Sequence, residues 1–206
     1  MKMSNCRTYQ MKDVVIFQKT TMDFGGLSNM AAGYSLNVND IIIPTAEHLY
    51  QACRFPQHPQ LQWDIISEPS PMKAKWIGRG NVEKTRSDWN QVRFAIMRWV
   101  LEVKLSQNWE AFGSLLRQTA GKSIVELTQK DKVWGAMKQG DSLIGVNALG
   151  RLLMDLREKY VLKDDYQRCV FPLEIADFKL CGQQIDMVCN DDFVAEIKWS
   201  LSQTVD

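Results

Sequence analysis

The chain has 206 residues, 45% hydrophobic and 24% charged, a composition typical of a compact globular domain and not of disordered or fibrous chains. Its 25 lysines and arginines balance 24 aspartates and glutamates, so a formal charge of +1 does not predict a general polyanion binder. With two histidines and no HExxH, CxxC or GxSxG motif, metallohydrolase and serine hydrolase mechanisms are disfavoured. We expect no metal and no cofactor.

The sequence also bears on the compartment. Its apolar runs are far shorter than the roughly 20 residues that a membrane span needs, and no apolar segment follows residues 1–5 as in a secretory leader. We therefore expect a cytoplasmic protein without membrane contact. The cysteines are odd in number and widely spaced, which predicts reduced thiols and not a disulfide framework. They are Cys6, Cys53, Cys169, Cys181 and Cys189.

The first half of the chain begins with strand signals and continues with helical ones. Two β-branched runs, Val14–Phe17 and Ile41–Ile43, predict short strands on either side of a turn-rich loop. A helix is predicted over 45–56, with Thr45 at its N-cap, and a second from 69 to about 80.

The strongest helix is predicted over 88–107, where apolar residues recur at spacings of four, four and three and leave little exposed face. Further helices are predicted over 109–119 and 142–160. After Lys163, short apolar stretches at 170–173, 178–180 and 193–195 favour β-strands or a hairpin. We therefore expect an α+β fold, predominantly α-helical, with a single helical domain over 14–162 and a β-rich extension over 163–206 packed on it.

Polar side chains recur in register on these apolar helices. Glu47, Gln51 and Arg54 share one face of the first helix, and Arg93 and Lys104, eleven residues apart, point in nearly the same direction on the long one. Because the long helix has little polar surface, Arg93 and Lys104 need a buried partner, such as Glu47 or an anionic ligand. Solvated faces with ordinary ion pairs are the alternative.

The last predicted helix carries a similar polar row. Asn147, Gly150, Met154 and Arg157 align along it. Gly145 and Gly150 allow another backbone segment to approach closely. Three helices therefore each offer one polar row, which lines either solvent or a pocket.

Carboxylates and tryptophans indicate glycosyl chemistry. Glu47 lies in the first turn of its helix, where the macrodipole favours the ionised carboxylate, and Asp131 lies near Trp134 in a loop. Cleaving a bond to an anomeric carbon builds positive charge on the sugar, which a carboxylate stabilises. Trp89 and Trp134 can stack on a base, although core packing is the alternative role. Lys104 offers another route, because a desolvated amine can attack the anomeric carbon and form a Schiff base.

A series of short segments occurs in a characteristic order over roughly residues 24–157. They are Gly26-Leu27-Ser28-Asn29; 45–52; 70–75 with Gly78 and Arg79; Trp89 with Arg93 and Met97; Lys104 with Gln107 and Asn108; 116–119; Val125 and Glu126; Asp131 with Trp134 and Gly135; and 145–150 with Leu153, Met154 and Arg157. No single segment is specific. Together they resemble the NADAR, or YbiA-like, family of N-glycosidases.

The resemblance implies a mainly helical fold, a pocket for a ribose-phosphate or ADP-ribose group, and hydrolysis of an N-glycosidic bond without a metal. We predict Glu47, Asp131 and Lys104 as catalytic residues; the resemblance favours Glu47 and Asp131, together with Trp89, and Lys104 follows from the chemistry of a desolvated amine. Arg79 and Arg93 are candidate phosphate clamps, because guanidinium groups form forked hydrogen bonds. The ligand-binding residues implied are Ser28, Asn29, Arg79, Trp89, Arg93, Trp134, Gly145 and Asn147.

Two branches of this family differ in substrate. One acts on phosphoribosylamino-pyrimidine intermediates of riboflavin synthesis, and the other, linked to DarT-type toxins, removes ADP-ribose from guanine in nucleic acid. Segments 24–30, 50–56 and 177–180 resemble the second branch, whereas His48 and Gly78 resemble the first. We expect antitoxin-like removal of ADP-ribose from guanine in DNA or RNA, with a toxin as candidate partner. A riboflavin-type glycosidase and a non-catalytic ADP-ribose-binding module are the alternatives.

Overall fold

The computed structural model describes residues 5–202, so the last four residues of the expected C-terminal extension lie outside the described range. The chain forms two compact units, each built from two segments. Among the described residues, the first comprises 5–33 and Glu110–Asp165, and the second comprises Tyr34–Trp109 and 166–202. The domain over 14–162 and the extension over 163–206 stay predictions.

The fold is α+β and mainly helical, as the sequence predicts. The strands are β1 (Arg7–Gln10), β2 (Val14–Phe17), β3 (Leu36–Val38), β4 (Ile41–Ile43), β5 (Ser123–Glu126), β6 (Met137–Gln139), β7 (Ser142–Gly145), β8 (Cys169–Val170), β9 (Lys179–Leu180), β10 (Gln183–Gln184) and β11 (Val188–Cys189). The helices are α1 (Ala46–Ala52), α2 (Pro59–Ser67), α3 (Pro71–Gly80), α4 (Trp89–Gln107), α5 (Ser114–Arg117), α6 (Ala148–Lys159) and α7 (Asp191–Ser202).

In the first unit, an antiparallel sheet has the order β1-β7-β6, and β2 pairs with β5 in parallel. Helix α6 packs on β5, and a Cβ added to Gly150 would lie 2.1 Å from the carbonyl oxygen of Ile124. The close approach expected at Gly150 is thereby confirmed. The helix predicted over 142–160 is wrong in its first turn, because a turn at Gly140, where φ is +60°, places Ser142–Gly145 between β1 and β6.

In the second unit, α1 packs against α2, α3 and α4. In the apolar stripe predicted on α4, Ile96, Val100 and Val103 are buried and Val92 is half-buried, which confirms that helix as a core element. Helix α1 ends at Ala52, before the expected 56, and α2 is a helix that periodicity did not predict. Pro59 at the first position of α2 starts it directly after the break that follows α1. The helix predicted over 109–119 consists of a π-helical turn followed by α5.

The C-terminal segment contains the expected strands, with β8 paired to β11 and β9 to β10. The strand expected at 193–195 is wrong, because these residues lie in the first turns of α7, which begins at Asp191. The Asn190 side chain accepts a hydrogen bond from the backbone N–H of Phe193 at 2.9 Å, and Asp191 and Asp192 occupy the first turn. A capping side chain and acidic residues in the first turn stabilise the start of a helix, and here they outweigh the β-strand preference of residues 193–195.

The cysteine prediction also needs correction. Cys169 and Cys189 lie directly opposite each other on β8 and β11 and form a disulfide, while Cys6, Cys53 and Cys181 are free. Strand pairing across residues far apart in sequence brings the two thiols together, which spacing alone does not reveal. Among residues 5–202, no helix combines the length and the apolar character needed to cross a bilayer.

Candidate active site around Glu47

Helix α1 is anchored by a buried histidine. Thr45 occupies the N-cap position as predicted, but its hydroxyl contacts His48 Nδ1 at 2.8 Å instead of capping the backbone. His48 Nε2 lies 2.8 Å from the carbonyl oxygen of Glu68, so Nε2 donates and Nδ1 accepts from Thr45. Burial lowers the pKa of His48. His48 therefore ties α1 to the loop before α3 as a neutral imidazole.

The carboxylate of Glu47 is buried next to two donors. Glu47 is 5% exposed, and its Oε1 accepts a hydrogen bond from Gln51 Nε2 at 2.8 Å. Lys75 Nζ, from α3, lies 3.5 Å from the same oxygen. The sequence suggested Arg93 or Lys104 as ionic partners of Glu47, and the structure supplies the ammonium of Lys75. The result is a desolvated carboxylate with one half-buried cation beside it.

A chain of hydrogen bonds continues from Glu47 along α1. Gln51 Oε1 accepts from Arg54 Nη1 at 3.1 Å, and Arg54 Nη2 donates to Thr85 Oγ1 at 3.1 Å. Burial lowers the pKa of Arg54. Gly78 of α3 lies against this chain, since an added Cβ would stand 2.6 Å from Gln51 Oε1. Close packing of α3 on α1 thus holds Gln51 in the orientation that serves Glu47.

An aromatic pair lies beside the same helix. The rings of Tyr50 and Trp89 are 5.1 Å apart between centroids and tilted by 45°, and the Arg54 guanidinium lies 5.4 Å from the Trp89 ring. Burial, followed by the charge of Glu47, raises the pKa of Tyr50. Tyr50 therefore stays a neutral phenol, and Trp89, half-buried, presents part of its ring to solvent.

Two further predicted site residues lie on α4 and one on α3. Arg93 Nε is buried without a hydrogen-bond acceptor among the described residues, and the guanidinium lies 4.7 Å from the Phe94 ring. Lys104 is 1% exposed, and burial lowers its pKa to about 7. Its Nζ lies 4.4 Å from the Tyr34 ring centroid. Arg79 is exposed near the end of α3. Arg93 thus supplies a half-buried guanidinium, and Lys104 supplies a fully buried amine.

The remaining candidates lie in the first unit, where Asp131 organises a loop. Its Oδ1 accepts from the backbone N–H of Val133 at 2.9 Å and of Trp134 at 3.0 Å. The carbonyl oxygens of the same two residues accept from Ala148 at 2.9 Å and Leu149 at 3.0 Å, at the start of α6. Asp131 therefore shapes the loop that satisfies the first N–H groups of that helix.

Asn147 and Gly145 hold the same loop in place. Asn147 has a φ of +50°, its Nδ2 donates to the carbonyl of Ile124 at 2.8 Å, and its Oδ1 accepts from the N–H of Glu126 at 3.1 Å. A Cβ added to Gly145 would lie 2.3 Å from the carbonyl oxygen of Gly135. These contacts give Asn147 and Gly145 framework roles in addition to the ligand-binding role expected of them.

Ser28 and Asn29 lie in a turn of the first unit. Both are buried, and Ser28 Oγ accepts from the backbone N–H of Met30 at 3.2 Å. The structure thus brings Asp131, Trp134, Gly145 and Asn147 together around one loop. In the second unit, Tyr50 lies close to both Glu47 and Trp89.

With this geometry established, comparison with known proteins identifies the family. The NADAR domain family matches residues 16–161. This chain belongs to the NADAR family. It is 36% identical over 154 residues to the protein named N-glycosidase YbiA of Escherichia coli K12, covering 74% of this chain and 92% of YbiA. The NMR structure of E. coli YbiA matches with a TM-score of 0.62 and 35% identity, covering 73% of this chain and 87% of that one.

The chain is also similar to proteins that are named for riboflavin biosynthesis. The chloroplastic riboflavin biosynthesis protein PYRR of Zea mays is 34% identical over 161 residues, which cover 71% of this chain and 25% of PYRR. Riboflavin biosynthesis protein VVA0006 of Vibrio vulnificus is 30% identical over 153 residues, covering 74% of this chain and 40% of that protein. The expected family and fold class are confirmed, and the toxin-linked branch stays a prediction.

Four side chains around Glu47 were missing from the predicted NADAR site residues. Gln51 and Arg54 carried a signal, since they share a helix face with Glu47. Tyr50 and Lys75 lie in segments that resemble the family, but only the packing of α1 with its neighbours places them beside Glu47. All the predicted site residues lie within the matched range 16–161.

Proposed function

We propose that this protein is an N-glycosidase that hydrolyses the bond between a ribose and a nitrogenous base, with Glu47 at the anomeric carbon. The buried Glu47 carboxylate beside an aromatic pair supports this proposal. As the base departs, positive charge develops on the sugar ring. A carboxylate fixed in a low-dielectric site stabilises that charge more than water does, because its donors are already oriented.

The other groups have complementary roles in this proposal. Trp89 stacks on the base or nucleoside, and Trp134 is a further candidate for stacking on an aromatic ring. Arg93, whose buried Nε has no acceptor among the described residues, clamps a phosphate together with Arg79. Asp131 acts as a second polar or acid/base group. Water then adds to the anomeric carbon, and the released base takes up a proton.

Lys104 offers an alternative covalent route. Because burial lowers its pKa to about 7, a large fraction of the amine is neutral and nucleophilic at physiological pH. Attack on the anomeric carbon expels the base, and ring opening gives a Schiff base that water hydrolyses. Borohydride added during turnover, followed by mass spectrometry of peptides, tests this route. An adduct at Lys104 supports it, and an unmodified Lys104 supports the carboxylate route.

For the substrate, we propose ADP-ribosylated guanine in DNA or RNA, so that the protein restores the base and releases ADP-ribose as an antitoxin-like activity in the cytoplasm. Support comes from segments 24–30, 50–56 and 177–180, which resemble the toxin-linked branch. A second candidate is a phosphoribosylamino-pyrimidine intermediate of riboflavin synthesis, which the names of the maize and Vibrio relatives favour.

One experiment separates these substrates. The purified protein is incubated with an ADP-ribosylated guanine oligonucleotide and, separately, with the ribosylaminopyrimidine phosphate, and the released sugar is measured. Release from the oligonucleotide supports our substrate, and release from the pyrimidine alone overturns it. No release from either, with tight binding of ADP-ribose by calorimetry, indicates a binding module without turnover.

A further inference from the structure

Helix α3 has two faces of opposite character. Ala74 and Gly78 are fully buried, and Gly78 packs against Gln51 of α1. On the opposite face, Trp76 is 57% exposed and Met72 is 45% exposed. A large aromatic ring mostly in solvent contributes little to folding, so this face of α3 needs another explanation.

The exposed face of α3 is also uniformly basic. At about 100° per residue, Lys73 and Arg79 each lie within about 60° of Trp76, one on either side. Both are exposed, and neither forms an ion pair with a described residue. The ten residues of α3 contain Lys73, Lys75 and Arg79 and no acidic residue. In a chain with a formal charge of only +1, this is a local concentration of positive charge.

The same helix borders the candidate active site. Lys75 reaches from α3 to Glu47, with 28% of its side chain exposed, so it stands where the buried carboxylate meets solvent. Trp76 is the next residue. A ligand lying along the exposed face of α3 therefore passes close to Lys75, whose ammonium contacts Glu47.

We propose that this face, the α3 strip formed by Met72, Lys73, Trp76 and Arg79, docks single-stranded nucleic acid. Trp76 stacks on an unpaired base, and Lys73 and Arg79 contact the phosphates on either side of it. Aromatic side chains interleaved with cations are the usual means of holding a single strand without reading its sequence. The inference rests on the proposed function, since it gives a strand-borne modified base a path to Glu47.

The strip predicts a measurable contribution from stacking. A fluorescein-labelled, unmodified 12-nucleotide single strand is titrated with the full-length protein, and fluorescence anisotropy gives Kd. Trp76→Ala is expected to weaken binding about tenfold, and Trp76→Phe to restore most of it, because stacking on one base is worth about 1–3 kcal/mol. Trp199→Ala, which removes another exposed tryptophan from α7, serves as the matched control and leaves Kd unchanged.

The strip also predicts a shallow salt dependence. Two phosphate contacts on a single strand give a slope of log K against log salt of about −1.4, and Lys73→Ala reduces its magnitude by about 0.7. Lys138→Ala, an exposed lysine of β6, leaves the slope unchanged. Absence of strand binding, equal effects of Trp76→Ala and Trp199→Ala, or Trp76-dependent binding to anionic phospholipid vesicles in place of the strand overturns the proposal.

The strip and the proposed function fail in distinguishable ways. If the protein binds the strand through Trp76 but releases no base, the docking proposal is supported and the proposed glycosidase activity is refuted. If the protein releases ADP-ribose from a single modified nucleoside but has no affinity for the 12-nucleotide strand, the docking proposal is refuted and the proposed glycosidase activity is supported.

Discussion

Gln51 Nε2 donates a hydrogen bond to Glu47 Oε1 at 2.8 Å, one helical turn away on α1. The same side-chain amide accepts from Arg54 at 3.1 Å. Because both ends of the amide are engaged, its orientation is set, and it presents a donor to Glu47 at all times. A carboxylate held in this way needs little reorganisation when charge develops beside it.

Replacement of the central carboxylate tests its role directly. Glu47→Gln is expected to lower kcat at least a thousandfold, a change of about 4 kcal/mol in the barrier, because the amide cannot stabilise a developing cation. Single-turnover release of sugar from the active substrate is the measurement. Glu83→Gln, at an exposed site after α3, is the control and keeps parental kcat. A Glu47→Gln variant within about tenfold of the parent excludes Glu47 as the central group.

Crowding the Gln51 amide tests the hydrogen-bond chain. Gly78→Ala places a Cβ 2.6 Å from Gln51 Oε1, whereas Gly80→Ala on the same helix meets no atom within 4 Å. Because the crowded atom ends a flexible side chain, we expect Gly78→Ala to lower kcat about tenfold or more while the free energy of unfolding changes by less than about 1 kcal/mol.

Gly80→Ala is expected to preserve both kcat and stability, since it adds the same methyl group in open space. Kinetics and urea unfolding on the two variants provide the comparison. Equal kcat values for both variants would show that the orientation of Gln51 does not matter for turnover.

The buried Lys104 predicts a pH dependence of stability. Burial lowers its pKa from 10.5 to about 7, so between these pH values the unfolded chain binds a proton that the folded chain does not. Stability linked to Lys104 therefore rises with pH across this window, by up to about 1.4 kcal/mol per pH unit, and is constant below it.

Lys104→Met removes this linkage. The variant is expected to exceed the parent in stability most at pH 6 and progressively less at pH 8 and pH 10, as measured by urea unfolding. Lys138→Met, at an exposed position, supplies the control and shows a difference independent of pH. A constant gap between Lys104→Met and the parent contradicts a depressed pKa at Lys104.

An isosteric change separates the loop role of Asp131, which the structure shows, from the acid/base role that we propose for it. Asp131→Asn keeps an acceptor oxygen for the N–H groups of Val133 and Trp134, whereas Asp131→Ala removes it. If Asp131 is an acid/base group, Asp131→Asn lowers kcat about a hundredfold with an unchanged Tm. Asp131→Ala lowers stability as well, by about 1–3 kcal/mol. Parental kcat in Asp131→Asn would leave Asp131 with the loop role alone.

The disulfide on β8 and β11 predicts a contribution to stability. Cys169 and Cys189 are 20 residues apart in sequence, so the chain-entropy relation gives about 3 kcal/mol for closing that loop. The double change Cys169→Ser and Cys189→Ser is expected to lower the free energy of unfolding by about that amount, and a reductant lowers it in the parent alone. Cys6→Ser, at an exposed free thiol, has no effect. Equal stability of parent and double variant contradicts the bond.

Much of the helical framework could be predicted because helix periodicity is a local property. Glu47, Gln51 and Arg54 share a face by spacing alone, and the structure joins them through hydrogen bonds. Most of the apolar stripe of α4 is buried as its spacing predicts. The predictions were wrong where the local preference of a segment was outweighed by other contacts. Ser142–Gly145 was predicted to be helical but pairs with distant strands, and the first residues of α7 were predicted to be a strand but follow a helix cap.

The family, the α+β class and the helix face that carries Glu47 could be predicted, because each of these depends on residue order and local spacing. Three contacts became visible only in the folded chain: Lys75 is the ionic partner of Glu47, Asp131 binds its own loop, and Cys169 bonds to Cys189. The reason is physical: these contacts join residues through the packing of separate elements, and a pattern within one element does not specify which element lies beside it.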